Sequence, residues 1–129
     1  MRALRLANPF VRAVLGSPAH PLLSGRLLVL SYRGHRTTRS FRIPVQYATT
    51  GDGTIVALAV HPERKLWWRS FVASAGARLT LRGEQVDVRG ALVDGVEREA
   101  ALAAYVERHP RSARLAQDAA IVVFTPMPR

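Results

Sequence analysis

Residues 41–60 read FRIPVQYATTGDGTIVALAV, and this stretch decides the fold. Two apolar segments, residues 41–49 and 54–60, lie on either side of the sequence TGDG. Asp-Gly between two such segments is a strong signal for a tight hairpin turn, so they are predicted to pair as antiparallel strands. Proline cannot donate a hydrogen bond to a strand ladder, and Pro44 therefore predicts an edge position or a bulge.

Four more segments have strand patterns, and these are residues 26–32, 77–82, 85–93 and 120–126. The first is too apolar to face water on both sides, and the middle two alternate around an RGEQ turn. Six strands with tight turns, and no regular alternation of strand and helix, exclude a doubly wound parallel sheet. The residues alone predict a small mixed barrel or an α+β domain, with six strands and two or three helices.

Helical patterns occur before and after the strands. Residues 8–16 form a short amphipathic segment with an asparagine cap and a proline in the first turn. This segment either covers one end of the domain or lies on an anionic membrane. Asp94 and Glu97 have the spacing of a capping box at the start of a helix over residues 95–108. Residues 112–118 are helical or irregular.

Residues 61–71 read HPERKLWWRSF and hold both tryptophans and the only lysine of the chain. Proline is favoured in the first turn of a helix, so Pro62 predicts a helix that follows the third strand and stops near Gly76. On a helical projection the two tryptophans and Phe71 share one broad arc.

Two interpretations of this segment stay open on its own residues. It is either a core-packing helix whose basic side chains extend to water, or the wall of a pocket for a flat, anionic ligand. The pocket interpretation uses Arg64 and Lys65 as cations. Neighbouring residues on a helix diverge by about 100°, so Trp67 is predicted to pack toward the barrel and Trp68 to border the pocket.

Composition limits the class of protein. A chain of 129 residues suits one domain over residues 1–129, with residues 1–20 as an N-terminal helix and lead-in. The absence of cysteine excludes disulfides and thiolate sites and suits the cytoplasm. No segment is long and apolar enough to span a membrane, and residues 1–20 do not have the pattern of a secretory signal.

The formal net charge of +10 is concentrated in the first part of the chain. Residues 1–51 hold eight arginines and no acidic residue, whereas residues 52–129 contribute only +2. The partner of such a surface is an anion: a small molecule, a membrane surface or nucleic acid.

The basic charge peaks in residues 33–40, which read RGHRTTRS. Guanidinium groups bind phosphate through two parallel hydrogen bonds, and hydroxyl groups complete the oxygen shell. The alternative is a solvated turn with incidental arginines, but these arginines have no acid nearby in the sequence and alternate with hydroxyl residues. The loop is therefore predicted to bind a phosphate group.

Motifs for catalysis by the chain itself are absent. The sequence has no P-loop, GxGxxG, GxSxG or HExxH, and its four histidines lack the spacing of metal ligands. The sparse carboxylates form no evident acid–base pair. No residue is assigned as catalytic, and a bound cofactor is expected to carry any redox chemistry.

Three motifs in order support a resemblance to a known family. They are GRLLVLSYRGHRTTRSFRIPVQY at residues 25–47, HPERKLWWRSF at residues 61–71 and the closing VVF-x-P strand. In this order and spacing the chain resembles the deazaflavin-dependent nitroreductase and quinone reductase family of split β-barrel proteins. The similarity extends over about residues 8–126. It implies a mainly β or α+β fold, a six-stranded antiparallel split β-barrel with two or three flanking helices.

The resemblance implies coenzyme F420 as cofactor and an F420H2-dependent transfer of hydride to a quinone, a nitro compound or another small hydrophobic acceptor. The phosphate would be bound by Arg36, Thr37, Thr38 and Arg39. The anionic tail would face Arg64 and Lys65. The ring would lie along Pro44, Val45, Val60 and His61, and Trp68 would border it. Substrate would meet Trp67, Trp68 and Tyr47.

Other functions compete with this expectation. FMN serves related split barrels, so an FMN-dependent oxidoreductase is the first alternative. A non-catalytic ligand-binding module on the same fold is the second, and a basic protein of nucleic acid or membrane surfaces is the third, with no specific nucleic-acid motif in support. The sequence is compatible with a monomer or a homodimer.

Overall fold

The computed structural model describes residues 27–36 and 39–128. They form six strands, and these are β1 (Leu27–Arg33), β2 (Ser40–Thr49), β3 (Ile55–Ala59), β4 (Ala75–Leu81), β5 (Glu84–Leu92) and β6 (Ala120–Pro126). Between β5 and β6 lie α1 (Gly95–Arg108) and α2 (Ala113–Gln117). The short 3₁₀ helices span Pro62–Arg64, Trp67–Phe71 and Pro110–Ser112.

The strands close into a barrel in the order β1-β2-β3-β6-β5-β4, and every pairing is antiparallel. The predicted six-stranded antiparallel barrel with flanking helices is confirmed. A single domain over residues 1–129 stays a prediction, because it includes residues that the structure does not describe.

Alternate strand residues fill the barrel interior, as the two-residue period of a strand requires. Phe71 enters from the second 3₁₀ helix and meets Phe124 of β6 edge-on, with ring centroids 5.2 Å apart. Gly90 of β5 lies directly beneath both rings. A Cβ atom there would be 2.5 Å from Phe124 Cε1 and 2.8 Å from Phe71 Cδ1, so the interior admits only glycine without rearrangement.

A second apolar layer covers the outside of β2, β3 and β6. Ala101 and Tyr105 of α1, with Ala116 of α2, pack there against outward residues that include Val56 and Ile121. Both faces of β3 are therefore buried, which explains why it is apolar at every position.

The helices meet the sequence predictions in part. The helix over residues 95–108 is confirmed, and Asp94 is its N-cap residue, but the Asp94 side chain forms no capping hydrogen bond. The helix predicted over residues 8–16 lies outside the described residues, and so does any membrane contact through residues 1–16. Within residues 27–36 and 39–128, no helix has the length and apolarity to cross a bilayer.

The continuous helix predicted from Pro62 to about Gly76 is wrong. Two 3₁₀ helices replace it, Lys65 between them is extended, and Gly76 is a residue of β4. Two local bonds hold the segment, from the Lys65 ammonium to the Val60 carbonyl and from the Trp68 indole N–H to the Pro62 carbonyl at 2.9 Å. Its tertiary contact is the packing of Phe71 on Phe124 of β6, with ring centroids 5.2 Å apart. Such packing overrides the local helical pattern.

Candidate functional site

A groove opens where β2 separates from β3. Pairing between the two strands is confined to Gln46–Thr49 of β2, so residues 40–45 pair with β1 alone. Pro44 lies in this stretch, where one side of the strand has no partner among the described strands, and this is the edge environment predicted for it. β3 ends at Ala59 and the chain turns away, which leaves a groove of about 560 Å³.

The groove has an apolar inner wall and a cationic rim. The inner wall consists of Tyr32, Ile43, Val45 and Trp67, and the rim carries Arg64 and Lys65. The remaining lining residues are Leu27, Pro44, Gln46, Leu58, Val60, Leu66 and Leu115. Apolar walls with a few charged groups are typical of small-molecule sites.

Aromatic packing fixes the inner wall. The Tyr32 ring stacks on Phe41 with centroids 5.5 Å apart and tilts against Phe71 at 6.3 Å. Trp67 meets the same Phe71 ring edge-on at 6.3 Å, and only 4% of its surface is exposed. Burial raises the pKa of the Tyr32 phenol above its usual value, so its hydroxyl stays neutral at physiological pH.

The two cations of the rim are held differently. The Lys65 ammonium gives one of its three N–H donors to the Val60 carbonyl, which fixes its position. Arg64 is exposed and forms no ion pair with any described residue. Arg64 is therefore the rim cation that is most available to bind an anion.

The basic loop between β1 and β2 adjoins the groove. Its ends are tied by a hydrogen bond from the Gly34 N–H to the Arg39 carbonyl at 2.9 Å, and Arg36 is exposed near its tip. The Arg39 guanidinium lies 5.8 Å from the centroid of the Phe41 ring. Neither arginine lines the groove itself.

The two hydroxyls predicted to bind phosphate, Thr37 and Thr38, lie outside the described residues. The Phe41 ring, which carries Arg39 on one side, also stacks on Tyr32 of the groove wall. The loop is thereby anchored to the groove, although its predicted role in phosphate binding stays a prediction.

One of the two tryptophans departs from the prediction. Trp67 is buried toward the barrel, as predicted, and also lines the groove. Trp68 is not among the groove-lining residues; it is half-buried, and its ring packs below the Arg69 guanidinium at 5.3 Å. The predicted division assumed an α-helix, and this segment is not one.

Three of the remaining predicted site residues line the groove, and these are Pro44, Val45 and Val60. Tyr47 and His61 do not. Tyr47 is 2% exposed and belongs to the interior core. His61 is exposed at the turn after β3, in left-handed backbone with φ of 57°.

Sequence reasoning missed Tyr32 and Ile43 as wall residues. A signal for Ile43 existed, because it is two residues from Val45 and shares its face of β2. Tyr32 had no such signal, since its place depends on how β1 pairs with β2 and on the position of Phe71.

A larger cavity of about 980 Å³ lies between α1 and the outer face of β5 and β6. Its floor consists mainly of small apolar side chains such as Ala91, Ala100 and Val123. Arg89 is the one cation among its described lining residues, and it donates to the Ser74 hydroxyl at 3.3 Å. We place the candidate site at the smaller groove, because that groove combines aromatic walls with an available cation.

Comparison with known proteins bears on the fold. No protein-family model matches the chain, and no curated protein matches it. Among solved structures the chain is similar to a mycobacterial protein described as a domain-swapped dimer, with 15% identity and a TM-score of 0.62. The match covers 78% of this chain and 80% of that one. What the two share is the fold.

Proposed function

We propose that the chain is an oxidoreductase that uses a deazaflavin of the F420 type to transfer hydride to a quinone, nitro or other conjugated acceptor. The observation that carries this proposal is the groove between β2 and β3. Its aromatic and aliphatic walls, its cationic rim and its volume of about 560 Å³ are complementary to a flat ring with an anionic substituent.

The groove residues fit such a cofactor by their chemistry. Ile43, Val45 and Trp67 offer apolar surface to a ring, and the neutral Tyr32 hydroxyl offers a hydrogen bond to its polar edge. Arg64 would pair with a phosphate or carboxylate at the rim. A bound reduced deazaflavin supplies the hydride.

The contribution of the chain itself is binding and orientation. The ionisable side chains among the described lining residues are Tyr32, Arg64 and Lys65. Burial holds the Tyr32 phenol neutral, and the Lys65 ammonium donates to a carbonyl. The apolar walls would act by excluding water and by holding the acceptor against the cofactor.

FMN is the alternative cofactor, because it also combines a flat ring with a phosphate. Titrating the protein with coenzyme F420 and FMN separately, followed by tryptophan fluorescence, tests both. We expect micromolar binding of one cofactor, with quenching that is largely lost in Trp67→Phe and kept in the matched Trp68→Phe variant, because only Trp67 lines the groove. Absence of binding by either cofactor would refute the proposal and favour a binding module for another ligand.

Arg64→Gln tests the rim. Removing a charge-assisted hydrogen bond of about 1.5–3 kcal/mol weakens binding roughly tenfold or more. Arg111→Gln is the matched control, since Arg111 is exposed and does not line the groove. Equal losses in the two variants would mean that only net charge is sensed. Steeply salt-dependent DNA binding without cofactor binding would instead favour a nucleic-acid protein.

A homodimer is part of the proposal, since the structural neighbour is described as a domain-swapped dimer. β1 pairs with β4 through three residue pairs and with β2 through seven. Opening the barrel between β1 and β4 for strand exchange would therefore break fewer pairs than opening it between β1 and β2. Light scattering across a range of concentrations measures the mass, and a monomer throughout contradicts the dimer while leaving the cofactor proposal intact.

A further inference from the structure

A separate cavity of about 400 Å³ lies at the end of the barrel away from the basic loop. Its lining residues are Tyr47, Ala48, Thr49, Leu81, Arg82, Arg108 and His109, none of which lines the groove. On β2 the distance from Ser40, beside the basic loop, to Thr49 is nine residues or about 30 Å. The cavity is therefore remote from the basic loop and shares no lining residue with the groove.

Two arginines and a histidine line this cavity. Arg82 comes from the turn between β4 and β5, whereas Arg108 and His109 come from the end of α1. No carboxylate is among the described lining residues, and neither arginine forms an ion pair with a described residue. The negative end of the helix dipole accounts for basic residues in the last turn of α1 but gives no reason for Arg82.

Arg82 occupies a backbone position that disfavours it. The two-residue turn Arg82-Gly83 has φ values of 52° and 82°, and such hairpin turns favour asparagine, aspartate or glycine at both places. An arginine in left-handed backbone carries a steric cost that those residues avoid. An observed backbone outlier of this kind supports a functional reason for the side chain.

His109 is held in place at the cavity wall. Its Nε2 lies 3.1 Å from the Tyr47 carbonyl, and because a carbonyl only accepts, Nε2 carries the hydrogen. The ring packs on Tyr105 with centroids 4.8 Å apart. The imidazole is thus oriented by two contacts and closes one side of the cavity.

We propose that Arg82 and Arg108, with the Thr49 hydroxyl, form a binding site for the phosphate group of a phosphate monoester, and that His109 fixes one wall of this site. Guanidinium groups from two different elements match the tetrahedral oxyanion, and the hydroxyl completes the oxygen shell. The volume of about 400 Å³ accommodates the phosphate and part of the group attached to it. This site does not depend on the proposed redox function.

Arg82→Asn separates binding from stability, because it is expected to lower the affinity for phosphate while raising the melting temperature. In an NMR titration of the full chain with inorganic phosphate at constant ionic strength, we expect affinity to fall about tenfold. The melting temperature rises by about 3 °C, since asparagine suits the turn. Arg111→Asn is the matched control, because Arg111 is exposed on the adjacent 3₁₀ helix and does not line the cavity.

Two results would overturn the site: phosphate shifts no resonance of the cavity residues at millimolar concentration, or Arg82→Asn and Arg111→Asn weaken binding equally. Arg108→Gln provides a second variant that leaves the turn unchanged and is expected to lower affinity by a similar factor. Glycerol 3-phosphate and phosphatidic acid vesicles then distinguish a soluble monoester from a lipid headgroup. Binding of either one that depends on Arg82 supports the site, and binding of neither overturns it.

Discussion

Gly90→Ala is the sharpest test of how the barrel interior supports the groove. A Cβ atom at this position would lie 2.5 Å from Phe124 Cε1, 2.7 Å from Phe124 Cδ1 and 2.8 Å from Phe71 Cδ1. Both rings are buried, at 1% exposure or less, so neither can move aside into solvent. One of the two rings, or the β5 backbone, must therefore shift within a close-packed interior.

The expected cost follows from two opposing terms. Overpacking a core by one methyl group costs about 1–3 kcal/mol. Replacing glycine by alanine stabilises the fold by about 0.4–1 kcal/mol, because it lowers the conformational entropy of the unfolded chain. The net loss is about 1.5 kcal/mol, which lowers the urea midpoint by about 1 M for a slope of about 1.5 kcal/mol/M. Urea unfolding followed by tryptophan fluorescence measures it.

Gly76→Ala is the matched control within the same barrel. The nearest atom to a Cβ there is the Val88 carbonyl oxygen at 3.8 Å, an ordinary contact, so the substitution is expected to be neutral or slightly stabilising. If Gly90→Ala is no less stable than Gly76→Ala, the packing argument fails. A shift of the Phe71 ring would reach the groove through Trp67, because the centroids of these two rings are 6.3 Å apart. Gly90→Ala is therefore also expected to weaken cofactor binding.

Two predictions concern titration. The Asp52 carboxylate accepts hydrogen bonds from the Thr50 hydroxyl and from the Thr54 N–H and hydroxyl, which lowers its pKa. The stability that Asp52 contributes is present above its pKa in the unfolded chain and is lost as the pH falls through its pKa in the folded protein. NMR titration of the Asp52 carboxyl carbon measures the folded pKa. A value in the usual range for aspartate would contradict the prediction. The raised pKa of Tyr32 predicts stability that is present below the unfolded pKa and lost as pH rises through the folded one. Ultraviolet titration against Tyr32→Phe measures that, and a tyrosine that ionises as in a free peptide would contradict it.

The strands were predictable because their signals are local. The Asp-Gly turn after β2 and the Arg-Gly turn after β4 each join neighbours in sequence, and alternation fixes which residues face inward. The pairings of β3 with β6 and of β4 with β1 are not local, so their order required the folded chain. The helix predicted at Pro62 failed for a similar reason, since the path of this segment depends on the packing of Phe71 against Phe124 of β6.

The groove itself follows from features that the sequence does contain. Pro44 cannot donate to a ladder, and it falls within residues 40–45, where β2 has no pairing with β3. At the facing end, β3 stops at Ala59, and His61 lies in left-handed backbone with φ of 57°. Pro44 thus lies beside the split between the strands, and Pro62 begins the 3₁₀ helix that follows β3. No local pattern predicts which side chains form the walls of the groove. That arrangement arises only when Phe71 enters the closed barrel and packs against both Tyr32 and Trp67.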